Sequence, residues 1–483
     1  MLNLSLALAT AALLMLAFPR FDLAWLAPVA LAPLLVAVAR EGRAWRRFLL
    51  GHAAGVLYWA GTCYWIQSVL EVHGGLGAAA SWAAFLVFCL VKALHMAVFA
   101  VLAGALTGGS WALAAVPALW VAIERTHGPL GFAWLALGNA GVDMDLPMRL
   151  APYAGVYGLS FVFATMSTAL VLVLLRRPRR QFLPALALLL LYALPPLPEA
   201  RRGSEAAVLV QPNISESAQW TEQWVAAMHR RLVSLSERTL EEGGPVRLIV
   251  WPEAPAPAYY YEDARFREMV NGLARRAGAY LLLNVVPHNQ QGAPLNSALL
   301  VSPSGEPLGR YDKMYLVPFG EFVPWPFGFI RKMSSEAGDF AAGEKLVVLG
   351  RFGAFVCYEV VFPHLVRQFA AAGAEVFVNI SNDGWYGRTA ARDQHLKIAR
   401  MRAAENRRWL LRATNDGITA TIDPAGRLYR HLPSYIEGAA QTKFTYLREQ
   451  TLYSRFGDWF VALCTLISVT GYAFTFLMSA AKD

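Results

Sequence analysis

Residues 352–359 read FGAFVCYE. The run from Phe352 to Val356 is apolar or small throughout, which suits a strand buried on both faces, and helix-like sequence follows near 363–372. Cys357 therefore falls at a strand-to-helix corner. A thiol there is presented with a backbone N–H beside it, the arrangement that nucleophiles use. The pattern continues on both sides. β-rich runs AAVLVQPN at 206, VRLIVWPE at 246, AYLLLNVV at 279, NSALLVS at 296 and EVFVNIS at 375 alternate with helix-like segments near 217–242, 262–277 and 392–406. That alternation predicts an α/β domain with buried sheets over roughly 205–450.

The rest of the chain is of a different kind. Of 483 residues, 56% are hydrophobic and 16% charged, with a mean hydropathy of +0.37, too apolar for a soluble protein of this length. A hydrocarbon core about 30 Å thick takes about 20 apolar residues per helix. About eight runs approach that length, near 2–19, 22–39, 48–70, 78–104, 110–124, 152–175, 181–197 and 457–479. The first has no Lys or Arg before it and is soon followed by a second, so it reads as a retained helix and not a cleaved leader. The predicted organisation is residues 1–200 as about seven transmembrane helices, 205–450 as the catalytic domain and 457–479 as a returning helix. Arg40, Arg43, Arg46 and Arg47 follow the second run, and Arg176, Arg177, Arg179 and Arg180 the sixth. Short basic loops stay in the cytoplasm. The N-terminus is then inside and the α/β domain outside, which in a Gram-negative cell means a multi-pass inner-membrane protein with a periplasmic domain.

The formal net charge of +9 suggests nucleic acid at first sight, but Arg and Lys in short loops between apolar runs meet anionic headgroups first. No nucleic-acid partner is expected. Cys63, Cys89 and Cys464 fall inside apolar runs, leaving Cys357 as the only thiol of the α/β segment, with no disulfide framework or zinc spacing. The nine histidines form no HExxH, and GDFAAGEK at 338–345 fails as a phosphate loop because Glu344 stands between Gly343 and Lys345. No metal and no cofactor is expected.

Two other residues stand at the ends of β-like runs. Glu253 closes LIVWPE, and Lys313 lies in GRYDKMYLVPFGE, residues 309–321. Singly, each candidate has a plain reading, since a lone Cys is usually core packing and a Glu or Lys near a strand end is usually solvated. Together, Glu253, Lys313 and Cys357, in that order and in WPE, YDK and CYE contexts, resemble the nitrilase, or carbon-nitrogen hydrolase, superfamily. Membership implies an α-β-β-α sandwich. QPNISESAQW from 211, VPFGEFVP from 317, SNDGWYG from 381 and the flanking apolar helices further resemble the apolipoprotein N-acyltransferase family.

That resemblance implies an acyltransferase in which Cys357 forms a thioester, Glu253 is the general base, and the Lys313 ammonium and the Tyr358 N–H stabilise the oxyanion. Glu321 resembles the superfamily's second glutamate, which orients the others; on its own it reads as an exposed loop residue. Glu359 and Trp220 match positions the family needs for activity, although Trp220 equally suits an interfacial anchor. The implied donor is a phospholipid, typically phosphatidylethanolamine giving its sn-1 chain. The acceptor is the free amine of the lipidated N-terminal cysteine of a diacylglyceryl apolipoprotein, and the enzyme is expected to be a monomer in the bilayer.

Two alternatives stand beside this reading. One is a membrane-tethered nitrilase-type amidase that uses the same triad but gives its acyl group to water; the other is a transporter or scaffold whose outside domain is only a binding module, with Lys92 and His95 as a transport site, against which the intact triad argues. Arg388, Arg392, Arg400, Arg402, Arg407 and Arg408 read as a solvated helical face or as phosphate contacts. FGEFVPWPFGFIRKM, residues 319–333, reads as a loop forming a membrane-facing lid, unless its rings pack into the domain core.

Overall fold

The computed structural model describes residues 1–129, 132–199, 203–215, 221–253, 258–322 and 340–480. Trp220 and most of the 319–333 loop lie outside the described residues. Two compact units are present, each assembled from separate stretches of chain: Met1–Gln67, Gly77–Leu197 and Phe456–Asp483 form one, and Ser68–Leu76 with Pro198–Arg455 form the other.

The first unit is helical. Ala78–Leu106 and Ala151–Leu174 are long and apolar enough to cross a membrane by length and composition, with shorter apolar helices such as Leu2–Ala17 beside them. Several of the expected runs are broken into pieces. The second is a 3-10 helix at Ala24–Val29 followed by an α-helix at Ala32–Arg40. The third divides into Ala44–Thr62 and Trp65–Val72, and from Ser68 the latter belongs to the second unit. The seventh is a 3-10 helix at Arg179–Leu189 that runs into Leu190–Ala193. Pro28 and Pro184 lie inside the 3-10 pieces; proline removes an N–H and crowds the preceding turn, so an α-helix cannot continue undisturbed. Elsewhere small residues allow close packing. A Cβ at Gly51 would lie 2.5 Å from Ala100 Cβ, and one at Gly55 2.8 Å from Ala93 Cα, so Ala44–Thr62 approaches Ala78–Leu106 through a small-xxx-small face of the kind favoured in lipid. Lys92 donates to the Phe132 carbonyl at 3.1 Å, lies 2.6 Å from His127 Nδ1, and sits 5.0 Å from the Trp59 ring centroid.

The second unit is built on strands β1 (Glu205–Gln211), β2 (Leu248–Val250), β3 (Tyr280–Val285), β4 (Ser297–Val301), β5 (Pro307–Asp312), β6 (Phe352–Val356), β7 (Val376–Ser381), β8 (Leu410–Thr414), β9 (Thr419–Ile422), β10 (Leu428–Leu432) and β11 (Gly438–Phe444). One sheet has the order β11-β1-β2-β3-β4-β5 and the other β10-β9-β8-β7-β6. β1, β2 and β3 run parallel, as do β6, β7 and β8. Val208, Val210, Ile249, Leu281 and Leu283 of the first sheet pack with Leu232 and Leu235 of helix Glu222–Gly243 and with Phe266, Val270 and Leu273 of helix Ala264–Ala277. The residues between them, Ala207, Leu209, Leu248, Val250 and Leu282, point to the opposite face and are buried as well. There β1 and β4 meet β8 and β6 of the second sheet, whose outer side is covered by helices Pro363–Ala371 and Ala391–Asn406. The layers are those of the α-β-β-α sandwich. Its helices begin where the sequence supplies caps: Thr221 Oγ1 accepts from the Trp224 N–H at 3.2 Å, and Asp263 Oδ1 from the Arg265 N–H at 2.8 Å.

Candidate active site

Three strand ends deliver the principal residues. β2 stops at Val250 and Trp251–Pro252 leads to Glu253; Lys313 follows β5 directly, and Cys357 follows β6. Cys357 has φ +48°. A side chain other than glycine in that region costs about 1–3 kcal/mol and persists only where the surroundings fix it. Glu359, fully buried, supplies the constraint. Its Oε2 accepts the Val356 N–H at 2.8 Å, and its Oε1 accepts the Tyr311 hydroxyl at 2.6 Å, the Met314 N–H at 2.8 Å and the Tyr315 N–H at 3.2 Å. One carboxylate thus ties the corner after β6 to the segment that carries Lys313. Burial pushes its pKa up to about 6, against the opposing pull of Tyr311 and the backbone donors.

Lys313 is 1% exposed and donates to Glu321 at 2.9 Å, with Glu253 Oε1 at 3.6 Å. Burial by itself would lower its pKa; the Glu321 and Glu253 carboxylates outweigh burial and raise it, so the ammonium stays charged at neutral pH. Glu321 Oε2 accepts the Val317 N–H at 2.8 Å. A single amide group, Asn296 Nδ2, donates to Glu253 Oε1 at 2.7 Å and to Glu321 Oε1 at 2.6 Å. Asn284 Nδ2 donates to Asn296 Oδ1 at 2.7 Å, which fixes the end of the amide that faces the carboxylates. Glu253 Oε2 accepts the backbone N–H of Asn382 at 3.0 Å.

The Cys357 thiol is buried, and burial pushes its pKa up, helped by the Glu253 charge and opposed by Lys313. It is therefore protonated at neutral pH and needs a base. The Glu253 charge acts on it directly, and burial raises the Glu253 carboxyl as well, with Lys313 pulling the other way. A carboxylate of raised proton affinity that shares the Asn382 peptide with a protonated thiol is equipped for general-base activation. Among the described residues no group of three His, Cys, Asp or Glu is placed to hold a metal.

Glu253, Lys313, Cys357 and Glu321 are brought together, Glu359 buttresses them, and the Tyr358 ring packs edge-on against Phe362 at 5.1 Å. Asn284, Asn296 and Asn382 are not singled out by the sequence reading; Asn284 lies inside the run AYLLLNVV and Asn296 opens NSALLVS, and Asn382 stands in SNDGWYG, a motif that carries the resemblance without marking that residue. The arginines require a correction. Arg392, Arg402 and Arg408 are 3%, 1% and 1% exposed, not solvated. Arg392 pairs with Asp416 at 2.8 Å and Arg408 donates to the Ala374 carbonyl at 2.7 Å, partners that local sequence does not reveal, while Arg402 pairs with Glu405 at 3.0 Å one turn on in the same helix.

Residues 206–446 match the family profile "Carbon-nitrogen hydrolase", and residues 10–169 match "Apolipoprotein N-acyltransferase N-terminal domain". Relatives named apolipoprotein N-acyltransferase are similar along nearly the whole chain. The protein of Geobacter metallireducens is 34% identical, covering 95% of this chain and 92% of its own; that of Azotobacter vinelandii is 34% identical, covering 94% and 91%. Among solved structures, Saccharomyces cerevisiae Nit3, a member of branch 10 of the nitrilase superfamily, is 20% identical with a TM-score of 0.39, covering 50% of this chain and 92% of its own. An amidase from Nesterenkonia sp. is 20% identical with a TM-score of 0.38, covering 51% and 93%.

Proposed function

This chain belongs to the apolipoprotein N-acyltransferase family, and we propose that Cys357 carries the acyl group as a thioester between a phospholipid and the amine of a lipidated N-terminal cysteine. The protein is an acyltransferase of the nitrilase superfamily. The observation that carries the thioester reading is geometric: the buried Cys357 thiol lies 4.0 Å from the carbonyl of Asn382, the same peptide whose N–H meets the Glu253 carboxylate at 3.0 Å, with the Lys313 ammonium 3.6 Å from that carboxylate.

In the first half-reaction Sγ attacks the ester carbonyl while Glu253 takes the thiol proton. The tetrahedral oxyanion is stabilised by Lys313 and the Tyr358 N–H, where losing one such donor typically costs about 100- to 1,000-fold in rate. The C–O bond then breaks, and Glu253 returns the proton to the lysophospholipid alkoxide. In the second half-reaction the acceptor amine attacks the thioester, Glu253 takes the amine proton, the C–S bond breaks and the thiolate is reprotonated. Glu321 and Asn296 hold the base and the ammonium in place. No cofactor takes part. Phosphatidylethanolamine is the proposed donor and a diacylglyceryl apolipoprotein the acceptor, both held in the bilayer, so anchoring the enzyme there supplies proximity. Full-length protein in detergent, incubated with phosphatidylethanolamine alone, should gain the mass of one acyl chain on Cys357 and lose it to hydroxylamine. No adduct would overturn the thioester. An adduct that water discharges as fast as a lipopeptide amine does would favour the amidase.

The helical unit is proposed to cross the inner membrane eight times, with the catalytic unit in the periplasm. The seventh pass is compatible with this although it is mostly 3-10 helix. At about 2.0 Å rise per 3-10 residue and 1.5 Å per α residue, Arg179–Ala193 reaches about 28 Å, close to the hydrocarbon thickness of about 30 Å. A reporter fused after residue 203 should register as periplasmic and one at the C-terminus as cytoplasmic; both on one side would remove the last pass.

A further inference from the structure

We infer that the buried Asp383–Arg412 pair is a positioning device for the reacting groups, clamping the Asn382 peptide so that its N–H meets the Glu253 carboxylate and its carbonyl faces the Cys357 thiol. The inference rests on the reading of Cys357 and Glu253 as nucleophile and base.

Asn382 is the residue through which the end of β7 touches both. Its N–H donates to Glu253 Oε2 at 3.0 Å, and its carbonyl oxygen lies 4.0 Å from Cys357 Sγ. Both neighbours of Asn382 are tied to one carboxylate. Asp383 Oδ1 accepts the Ser381 hydroxyl at 2.9 Å, so the side chains on either side of Asn382 close on each other across it. Arg412 of β8 then fixes that carboxylate, its Nη2 donating to Oδ1 at 2.9 Å and Oδ2 at 2.7 Å. His395 Nδ1, from helix Ala391–Asn406, lies 3.1 Å from Oδ1. Gly417 stands behind the carboxylate with no room for a Cβ. Burial opposes ionisation of Asp383, but Arg412 and His395 outweigh it and hold the carboxyl well below its usual range.

The same guanidinium reaches the strand of the nucleophile. Arg412 Nη1 donates to Asn379 Oδ1, and Asn379 Nδ2 donates to the Phe355 carbonyl at 3.2 Å, two residues before Cys357. Asn379 and Arg412 are paired across β7 and β8, and Phe355 and Asn379 across β6 and β7. One side chain therefore sets the relative position of the ends of β6 and β7, where the thiol and the Asn382 peptide sit.

Stability alone does not account for this. Asp383, His395 and Arg412 are all 0% exposed, and a buried ion pair is commonly no more stabilising than well-packed apolar residues of the same volume. What a charge-assisted, fully enclosed pair supplies is geometry, and here that geometry is passed to the two groups that must exchange a proton.

The test uses full-length enzyme in detergent with phosphatidylethanolamine micelles as the probe, measuring thermal midpoint and single-turnover loading of Cys357 per folded molecule. Asp383→Asn combined with Arg412→Met removes the clamp without leaving an unpaired buried charge. It is expected to load about 100-fold more slowly, the usual order for a misplacement of about 1 Å, with the half-saturating lipid concentration unchanged within about threefold. Arg412→Lys, which keeps the charge and one hydrogen bond, should recover about tenfold of that loss. Loading at the wild-type rate in either variant would overturn the inference, and if the double variant does not fold, the lysine variant decides alone: slow loading with unchanged half-saturation supports the clamp. Cys357→Ala distinguishes the two levels, because an adduct formed by that variant would instead remove the nucleophile on which the inference rests.

Discussion

Cys357→Ala is expected to form no acyl adduct and to transfer nothing measurable to a lipopeptide amine, a loss on the order of a million-fold in kcat if it follows the removal of other covalent nucleophiles. Its thermal midpoint should stay near that of the wild type. Alanine retains the Cβ and the left-handed backbone, and the hydrogen bonds from Val356, Tyr311, Met314 and Tyr315 to Glu359 do not involve the sulfur. No second thiol is available to take over, since Cys63, Cys89 and Cys464 belong to the helical unit. The Ser381 hydroxyl at the end of β7 donates to Asp383 at 2.9 Å, and a neutral alcohol is a far weaker nucleophile at neutral pH than a thiol that has been deprotonated. Transfer that survives the substitution would mean that acyl groups pass directly from phospholipid to amine, or through a nucleophile elsewhere.

The parts of this site that the sequence disclosed and the parts it concealed differ in range. FGAFVCYE reads as a strand running into a corner because its signal is local: an apolar run, then a reactive residue, then a helix. The positive φ of Cys357 has no local signature, since it is held by a carboxylate that gathers donors from Tyr311, Met314 and Tyr315, more than 40 positions back in the chain. Edge strands were concealed for a different reason. β10 reads LYRHL with mostly exposed residues, because a strand with a neighbour on one side only has no need of apolar residues on both faces. The helix Ala391–Asn406 is the sharpest case. Its charge density reads as a solvated face, yet Arg392, Lys397 and Arg402 are buried, because the partners of Arg392 come from the chain after β8 and the second sheet covers the helix. In the helical unit, composition made the apolar runs legible, while the breaks after Val29, beside Pro28, and after Thr62 are details that a hydropathy average smooths away.

Glu253→Gln is expected to slow acyl-enzyme formation by about 100- to 10,000-fold at neutral pH, and, unlike loss of the thiol, the defect should be partly repaired by alkali. The glutamine is nearly isosteric, and its oxygen can still accept from Asn296 or from the Asn382 N–H, but it cannot take a proton. In the wild type the active form of Glu253 is the carboxylate, and burial raises the pKa of that group above its ordinary value. Loading should therefore fall as pH drops through that raised value, so the acid limb lies above the pH at which an exposed glutamate would titrate. In the variant that limb disappears. What remains is direct ionisation of Cys357, whose pKa burial has raised, so the rate should climb about tenfold per pH unit below it, following the thiolate fraction. The same substitution removes one of the charges that raise the thiol and leaves the Lys313 ammonium that lowers it, so the climb should begin at lower pH than in a variant that retains the Glu253 charge. Single-turnover loading measured across pH separates the possibilities. A variant that loads at the wild-type rate at neutral pH would show that another group takes the thiol proton. A variant that is slow but flat with pH would show that Glu253 acts by holding Lys313 and Asn382 in place and not by moving a proton.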